Sequence, residues 1–111
     1  MEVSELYQRI ESNTAPLIVD PRSGREFEHG HIPGAVNAPV RKILVNRAGL
    51  PKEKDREMVI ACMHGQRAVA AKWILERYGY SNMELLDGYL KAWQAAGLPL
   101  ETDADPDASR Q

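Results

Sequence analysis

The sequence has little cysteine and no long hydrophobic run, and both shortages restrict what the chain can be. Its 111 residues include one cysteine, Cys62, so an internal disulfide is impossible and the fold must depend on packing. No apolar stretch approaches the length that crosses a membrane, and no N-terminal run resembles a signal peptide. We therefore expect a soluble cytoplasmic protein.

An excess of charge of one sign is also lacking. The chain has 14 basic and 16 acidic residues, so its composition does not indicate binding to nucleic acid. The three histidines and Cys62 have none of the spacings of structural zinc sites, and no metal or cofactor is predicted. The length fits one domain, which we assign to residues 1–100. Residues 101–111 are polar without a hydrophobic pattern, and we expect them to form a mobile C-terminal tail.

Short apolar runs alternate with helical patterns along the chain. The predicted strands cover residues 17–19, 36–38, 58–61 and 83–86. Ser23 to Glu26 form a capping-box pattern that begins a short helix. The clearest helix covers residues 68–78, with Val69, Trp73, Ile74 and Tyr78 on one broad face. This alternation predicts an α/β fold with a parallel sheet covered on both faces.

Tryptophan is scarce, and both copies occur at helical spacing with other apolar residues. Trp73 lies in the helix of residues 68–78, and Trp93 lies in a last helix that ends before Gly97. The sequence therefore predicts that both tryptophans belong to the core.

The segment of residues 62–67 joins a predicted strand to a predicted helix and contains the single cysteine. A thiolate is the reactive form of cysteine, and the positive end of a helix favours it. Gly65 allows the backbone to curve so that several N–H groups point inward at an anion. Arg67 adds a fixed positive charge. Ligands of such folds bind where strands end, so this segment is the candidate active site.

The roles of the other loop residues stay open at this point. Met63 can form an apolar rim, and Gln66 can donate a hydrogen bond to a substrate or face water. His64 can act as a proton donor or be an exposed loop residue. Asp20 and Arg22 follow the first strand and can orient the loop, although a structural ion pair, for instance with Glu26, is the favoured interpretation.

Three ordered motifs resemble those of rhodanese domains. They are, in chain order, IVDPR at 18–22 with EF at 26–27 and GHIPGAVN at 30–37; CMHGQR at 62–67; and LDG at 86–88 with AW at 92–93 and AGLP at 96–99. The likeness covers Leu17 to Leu100. Pro21 replaces a usual aliphatic residue and Tyr89 replaces a common second glycine, and both departures lie outside the Cys62 loop.

This resemblance implies a parallel sheet of about five strands with helices on both faces. It also implies a sulfurtransferase with ping-pong chemistry. Cys62 would take sulfur from a donor such as thiosulfate, hold it as a persulfide on the loop of Met63, His64, Gly65, Gln66 and Arg67, and pass it to cyanide, a thiol or a protein acceptor. Because the loop carries only one permanent charge, we expect modest activity with dianionic thiosulfate.

Two other functions compete with sulfur transfer. Cdc25-like phosphatases resemble rhodanese domains, but their loop has five residues between cysteine and arginine, whereas Cys62 and Arg67 enclose four. A phosphate group needs the larger loop, so the shorter one favours sulfur. A non-catalytic binding or regulatory module is the other alternative, and the presence of Cys62 argues against it.

Overall fold

Four short parallel strands form the centre of the fold. The computed structural model describes residues 1–102. The strands are β1 (Leu17–Asp20), β2 (Val36–Asn37), β3 (Met58–Ile60) and β4 (Met83–Leu85), in the sheet order β2-β1-β3-β4. Each neighbouring pair is parallel, with Val19 opposite Ile60 in the central pair. The prediction of an α/β fold with a parallel sheet is confirmed.

Helices cover both faces of this sheet. They are α1 (Val3–Glu11), α2 (Gly24–Glu28), α3 (Val40–Leu44), α4 (Gln66–Arg77) and α5 (Tyr89–Ala95). Side chains alternate along β3, so Met58 and Ile60 pack with the α3 and α4 side of the core. Val59 packs in a second core with Leu90 and Trp93, on the side of α1 and α5. Cys62 continues the first of these alternating sets and therefore lies beneath α4.

The sheet has the four strands that the residue pattern predicts, one fewer than the five or so that the family resemblance implied. In residues 1–102 it has four strands, together with one isolated antiparallel bridge between His31 and Glu101. Two backbone hydrogen bonds of 2.8 and 2.9 Å form this bridge. Glu101, the first residue of the predicted tail, is thus held against the domain. Residues 103–111 of that tail lie outside the described residues.

The predicted inward face of α4 is wrong. Val69 and Trp73 expose 51% and 57% of their surface, whereas Ala68, Ala71 and Leu75 are buried. Helix α4 carries apolar residues on more than one of its sides, so periodicity alone could not select the buried side. The small side chains of the two alanines let the helix approach the sheet closely, which the Trp73 ring would prevent. Trp93 is fully buried, as predicted.

None of the helices within residues 1–102 combines the length and apolar character needed to cross a membrane.

Candidate active site

Cys62 lies just beyond β3, at the centre of the edge where the parallel strands end. The ladder continues for a residue past the strand, because Ala61 N donates to Val19 O at 3.0 Å. The chain then turns and enters α4 at Gln66. The predicted arrangement of strand, loop and helix around the cysteine is therefore present.

The loop directs backbone N–H groups at the sulfur of Cys62. Gly65 N donates to Sγ at 3.0 Å, and Ala68 N, in the first turn of α4, donates at 3.3 Å. The first N–H groups of a helix have no partner within the helix and carry its positive end. The sulfur lies at this positive end of α4, and Cys62 as a whole exposes 1% of its surface. This geometry stabilises negative charge on Sγ.

Gly65 provides the turn that aims these donors. Its φ of 95° lies in the left-handed region, and it is the residue that precedes the first turn of α4. A Cβ atom at this position would collide with the Tyr89 ring. Glycine is thus required for two separate reasons, the backbone angle and the close approach of an aromatic ring.

Tyr89 belongs to a second element that supports the loop. It begins α5 with a φ of 61°, a backbone conformation that residues other than glycine rarely adopt. The next two residues donate backbone hydrogen bonds to the loop: Leu90 N to Cys62 O at 2.9 Å and Lys91 N to Met63 O at 3.4 Å. The start of α5 therefore fixes the loop from the side opposite α4.

A cavity of about 230 Å³ opens beside the sulfur. Its lining consists of five of the six predicted loop residues: Cys62, Met63, His64, Gln66 and Arg67. The sixth, Gly65, is buried behind them. His64 and Gln66 are exposed at the rim, so both can reach a molecule that enters the cavity. The sequence thus grouped these residues correctly.

Arg67 is held by a carboxylate that sequence reasoning did not assign to it. Its two terminal nitrogens donate to the two oxygens of Glu26 at 2.6 and 2.9 Å. These hydrogen bonds lower the pKa of Glu26 to about 2, against the opposing effect of partial burial. The same contact raises the pKa of Arg67, to which the charges of Cys62 and Asp20 add. Part of the positive charge at the cavity is therefore compensated.

Comparison with known proteins identifies the family. The family model described as "Rhodanese-like domain" matches residues 2–96. The chain belongs to this family.

Similar proteins include whole chains of the same size. A sulfurtransferase of Allochromatium vinosum is 34% identical over 100 residues, which are 90% of this chain and 92% of that protein. The thiosulfate sulfurtransferase GlpE of Shewanella oneidensis is 33% identical and covers 86% and 92%. The crystal structure of the Alr3790 protein from Anabaena superposes with a TM-score of 0.83 at 31% identity, over 99% of this chain and 86% of that one.

In this rhodanese-like domain, Asp20 and Arg22 do not reach the cavity. A structural ion pair was the favoured interpretation and is present, but Glu26, which was suggested as a partner, is occupied by Arg67. Arg22 instead forms a buried pair with Asp20, with Nη2 and Oδ2 2.9 Å apart, and donates to Gly30 O at 2.6 Å. The two charges, two residues apart in the chain, neutralise each other. They fix the turn after β1 and do not line the site.

His31 is held by contacts within the fold. The His31 ring stacks on Phe27, and its Nδ1 lies 2.7 Å from Phe27 O. Within residues 1–102, no three side chains of histidine, cysteine, aspartate or glutamate gather into a metal site.

Proposed function

We propose that this rhodanese-like domain is a sulfurtransferase that carries a sulfane sulfur as a persulfide on Cys62. The observation that carries the proposal is the pair of backbone N–H groups, from Gly65 and Ala68, that donate to Sγ at the edge of an open cavity. Such a sulfur is a nucleophile with a prepared electrostatic environment. The names of the two sulfurtransferases similar to this chain support the same assignment.

The reaction consists of two transfers at one sulfur atom. In the first, the Cys62 thiolate attacks the outer sulfur of thiosulfate; the new S–S bond forms as the old one breaks, and sulfite leaves with its electron pair. In the second, a nucleophile such as cyanide attacks the outer sulfur of the persulfide. Thiocyanate leaves, and the Cys62 thiolate is restored. No external oxidant or reductant is needed, because each step breaks one bond to the transferred sulfur as it forms another.

The loop residues divide the remaining work. The loop backbone around Gly65 holds the outer sulfur, and Arg67 attracts an anionic donor. Met63, His64 and Gln66 form the wall that the donor contacts. Asp20 and Arg22 support the site indirectly through the turn that leads to α2. Cys62 alone forms covalent bonds.

The sulfur donor that fits this cavity best carries one negative charge or is the persulfide of a larger thiol. Arg67 is the single permanent cation at the cavity, and Glu26 compensates part of its charge. Dianionic thiosulfate therefore gains less here than it would at several cations. We expect measurable but modest turnover with thiosulfate and a higher kcat/KM with glutathione persulfide.

Thiocyanate formation with a panel of donors tests this function. We expect turnover with thiosulfate, mercaptopyruvate or glutathione persulfide that is lost in Cys62→Ser. Absence of turnover with every donor would favour a non-catalytic module. Hydrolysis of an aryl phosphate that depends on Cys62 would instead favour a phosphatase. A low KM for thiosulfate alone would contradict the donor preference.

A further inference from the structure

The outer face of α4 exposes apolar surface that the fold does not use. Val69 and Trp73 lie one helical turn apart on the side opposite the buried alanines, and each exposes more than half of its surface. Single exposed apolar residues are ordinary on protein surfaces, but a valine and a tryptophan in succession form a patch. Folding does not explain this patch, because the core of α4 is complete without it.

The patch begins at the rim of the Cys62 cavity. Gln66 lines the cavity, and Val69 lies three residues beyond it on the same side of α4. Trp73 follows seven residues after Gln66, which is about 10 Å along the helix axis. The guanidinium of Arg77 lies 4.3 Å from the centre of the Trp73 ring and holds it in place. One side of α4 thus runs from the cavity to the guanidinium of Arg77, and we call it the strip.

Helix α3 lies beside α4. Tyr78, just after α4, donates from its hydroxyl to Leu44 O at 2.7 Å, so the two helices are joined side by side. Arg41 lines a surface cavity together with Arg67, which brings α3 to the edge of the site. Leu44 and Val45 expose 59% and 60% of their surface. We define the α3–α4 face by these residues: Arg41, Leu44, Val45, Val69, Trp73 and Arg77.

The charge of this face differs from that of the whole chain. Residues 40–47 and 66–77 contain six basic side chains and one acidic side chain, in a chain whose net charge is −2. Two of the basic residues form ion pairs, Arg67 with Glu26 and Lys72 with Glu76. Arg41, Lys42, Arg47 and Arg77 are exposed. The face is therefore positive around an apolar centre, a pattern that fits an acidic protein surface.

We propose that the α3–α4 face docks an acidic protein whose cysteine thiol receives the sulfur from Cys62. This inference rests on the proposed function and names the class of acceptor. A small acceptor enters the cavity without contacting Trp73, about 10 Å away. A protein acceptor covers the strip while its thiol reaches the cavity, and tryptophan and arginine are the residues that contribute most to such contacts.

The transfer to this acceptor balances. The acceptor thiolate attacks the outer sulfur of the Cys62 persulfide, and a new S–S bond forms on the acceptor. The bond between Sγ and the outer sulfur breaks, and its electron pair stays on Sγ. The acceptor leaves as a persulfide and Cys62 as a thiolate, without any external oxidant or reductant.

Cysteine peptides of opposite charge test the proposal on the persulfidated protein. One peptide carries its cysteine among aspartate, glutamate and leucine; the other replaces the acidic residues with lysine. We expect a kcat/KM about tenfold higher for the acidic peptide, with a loss of about tenfold in Trp73→Ala and in Arg77→Glu. Discharge to cyanide should keep its rate in both variants. Lys52→Glu, an equal charge reversal on an exposed loop residue, is the matched control and should retain the acidic peptide's rate.

The possible failures are distinct. If Cys62 accepts no sulfur from any donor, the proposed function itself is wrong. If the persulfide forms and cyanide discharges it, equal rates with the two peptides would overturn the docking proposal. Equal losses with glutathione and with the acidic peptide would also overturn it, since they would indicate damage to the cavity. Circular dichroism of each variant should give the wild-type spectrum, since the substituted residues are exposed.

Discussion

At the residue scale, two independent constraints exclude a side chain at Gly65 in the Cys62 loop. Its left-handed φ of 95° and its contact with Tyr89 act together, since the first aims the N–H at Sγ and the second leaves no space for a side chain. Tyr89 itself has a φ of 61°. Two residues with left-handed backbone angles, one of them not a glycine, thus meet at one contact beside Sγ of Cys62.

Replacement of Gly65 by alanine should impair both folding and sulfur transfer. The left-handed angle alone costs about 1–2 kcal/mol for an L-residue. The collision with Tyr89 adds to this cost or displaces the loop, and displacement moves the N–H away from Sγ. We expect thiocyanate formation to fall by at least about tenfold, as for the loss of one such donor. Urea denaturation and a turnover assay measure the two effects.

Gly49 provides the matched control for this substitution. Its φ of 71° is also left-handed, but a Cβ atom there would meet no other atom within 4 Å. Gly49→Ala should therefore show the cost of the backbone angle and keep full activity. Tyr89→Gly in the Gly65→Ala background should recover part of the lost stability. Equal effects of the two alanine substitutions would contradict the role that we assign to Tyr89.

The sequence predicts which residues form the Cys62 loop better than it predicts their partners. Cys62, Gly65 and Arg67 are close together in the chain, so their spacing already predicts a shared loop. The contact between Arg67 and Glu26 joins residues 41 positions apart, and no local pattern reveals it. Glu26 follows Arg22 by four residues and was for this reason suggested as an example of a partner, whereas Arg22 pairs with Asp20. Tyr89 was recognised as a departure from the family, but its contact with Gly65 depends on how α5 packs.

At the scale of elements, the ion pair between Glu26 and Arg67 joins α2 to the start of α4. Its ends are about 41–42% exposed, so its effect on stability should be small, in the range of ~0–1 kcal/mol. Its effect on geometry is larger, because two hydrogen bonds fix the direction of the guanidinium beside the cavity.

Glu26→Gln should therefore change sulfur transfer more than stability. The variant cannot form the same charged pair, so Arg67 becomes mobile while its charge is less compensated. We expect kcat with glutathione persulfide to fall several-fold and the preference for thiosulfate to rise. Glu57→Gln is the matched control, since Glu57 forms a similar two-bond pair with Arg9 and is likewise 41% exposed. That pair lies away from the cavity residues, and its loss should leave both rates unchanged.

The same two carboxylates predict how stability depends on pH. A carboxylate whose pKa is lowered by folding stabilises the protein above its unfolded pKa, and this contribution is lost as the pH falls through the folded pKa. For Glu26 this interval runs from 4.5 down to about 2. Glu57, whose pKa Arg9 lowers, acts in the same direction. Urea denaturation between pH 6 and pH 2 should show a loss of stability that is smaller in Glu26→Gln, whereas an unchanged pH profile would contradict the lowered pKa.

The element scale also shows why the α4 prediction failed. The helical period predicts which residues share a face but not which face is buried. Helix α4 has two apolar faces, so the pattern does not distinguish them. Ala68 belongs to the buried one because its N–H must reach Sγ and its small side chain permits the approach. That requirement comes from the loop and the sheet, which the helix sequence does not contain. Strand ends, by contrast, were predicted within one residue, since polar or turn residues bound each apolar run.

At the scale of the whole molecule, the order of strands and helices was predictable, whereas the contact that holds Glu101 against the domain was not. Alternation of short apolar runs with helices requires parallel strands and covered faces. The isolated bridge between His31 and Glu101 pairs residues 70 positions apart, and the predicted end of the domain at residue 100 did not include it. Contacts between distant segments depend on the assembled fold, which local patterns do not describe.

Sulfur carried by Cys62 is the central prediction for this protein, and intact-mass spectrometry measures it directly. After incubation with thiosulfate or glutathione persulfide, we predict a gain of one sulfur atom that cyanide removes. Cys62→Ser should gain none under the same conditions. A wild-type protein whose mass does not change with either donor, or an adduct that persists in Cys62→Ser, would contradict the central claim.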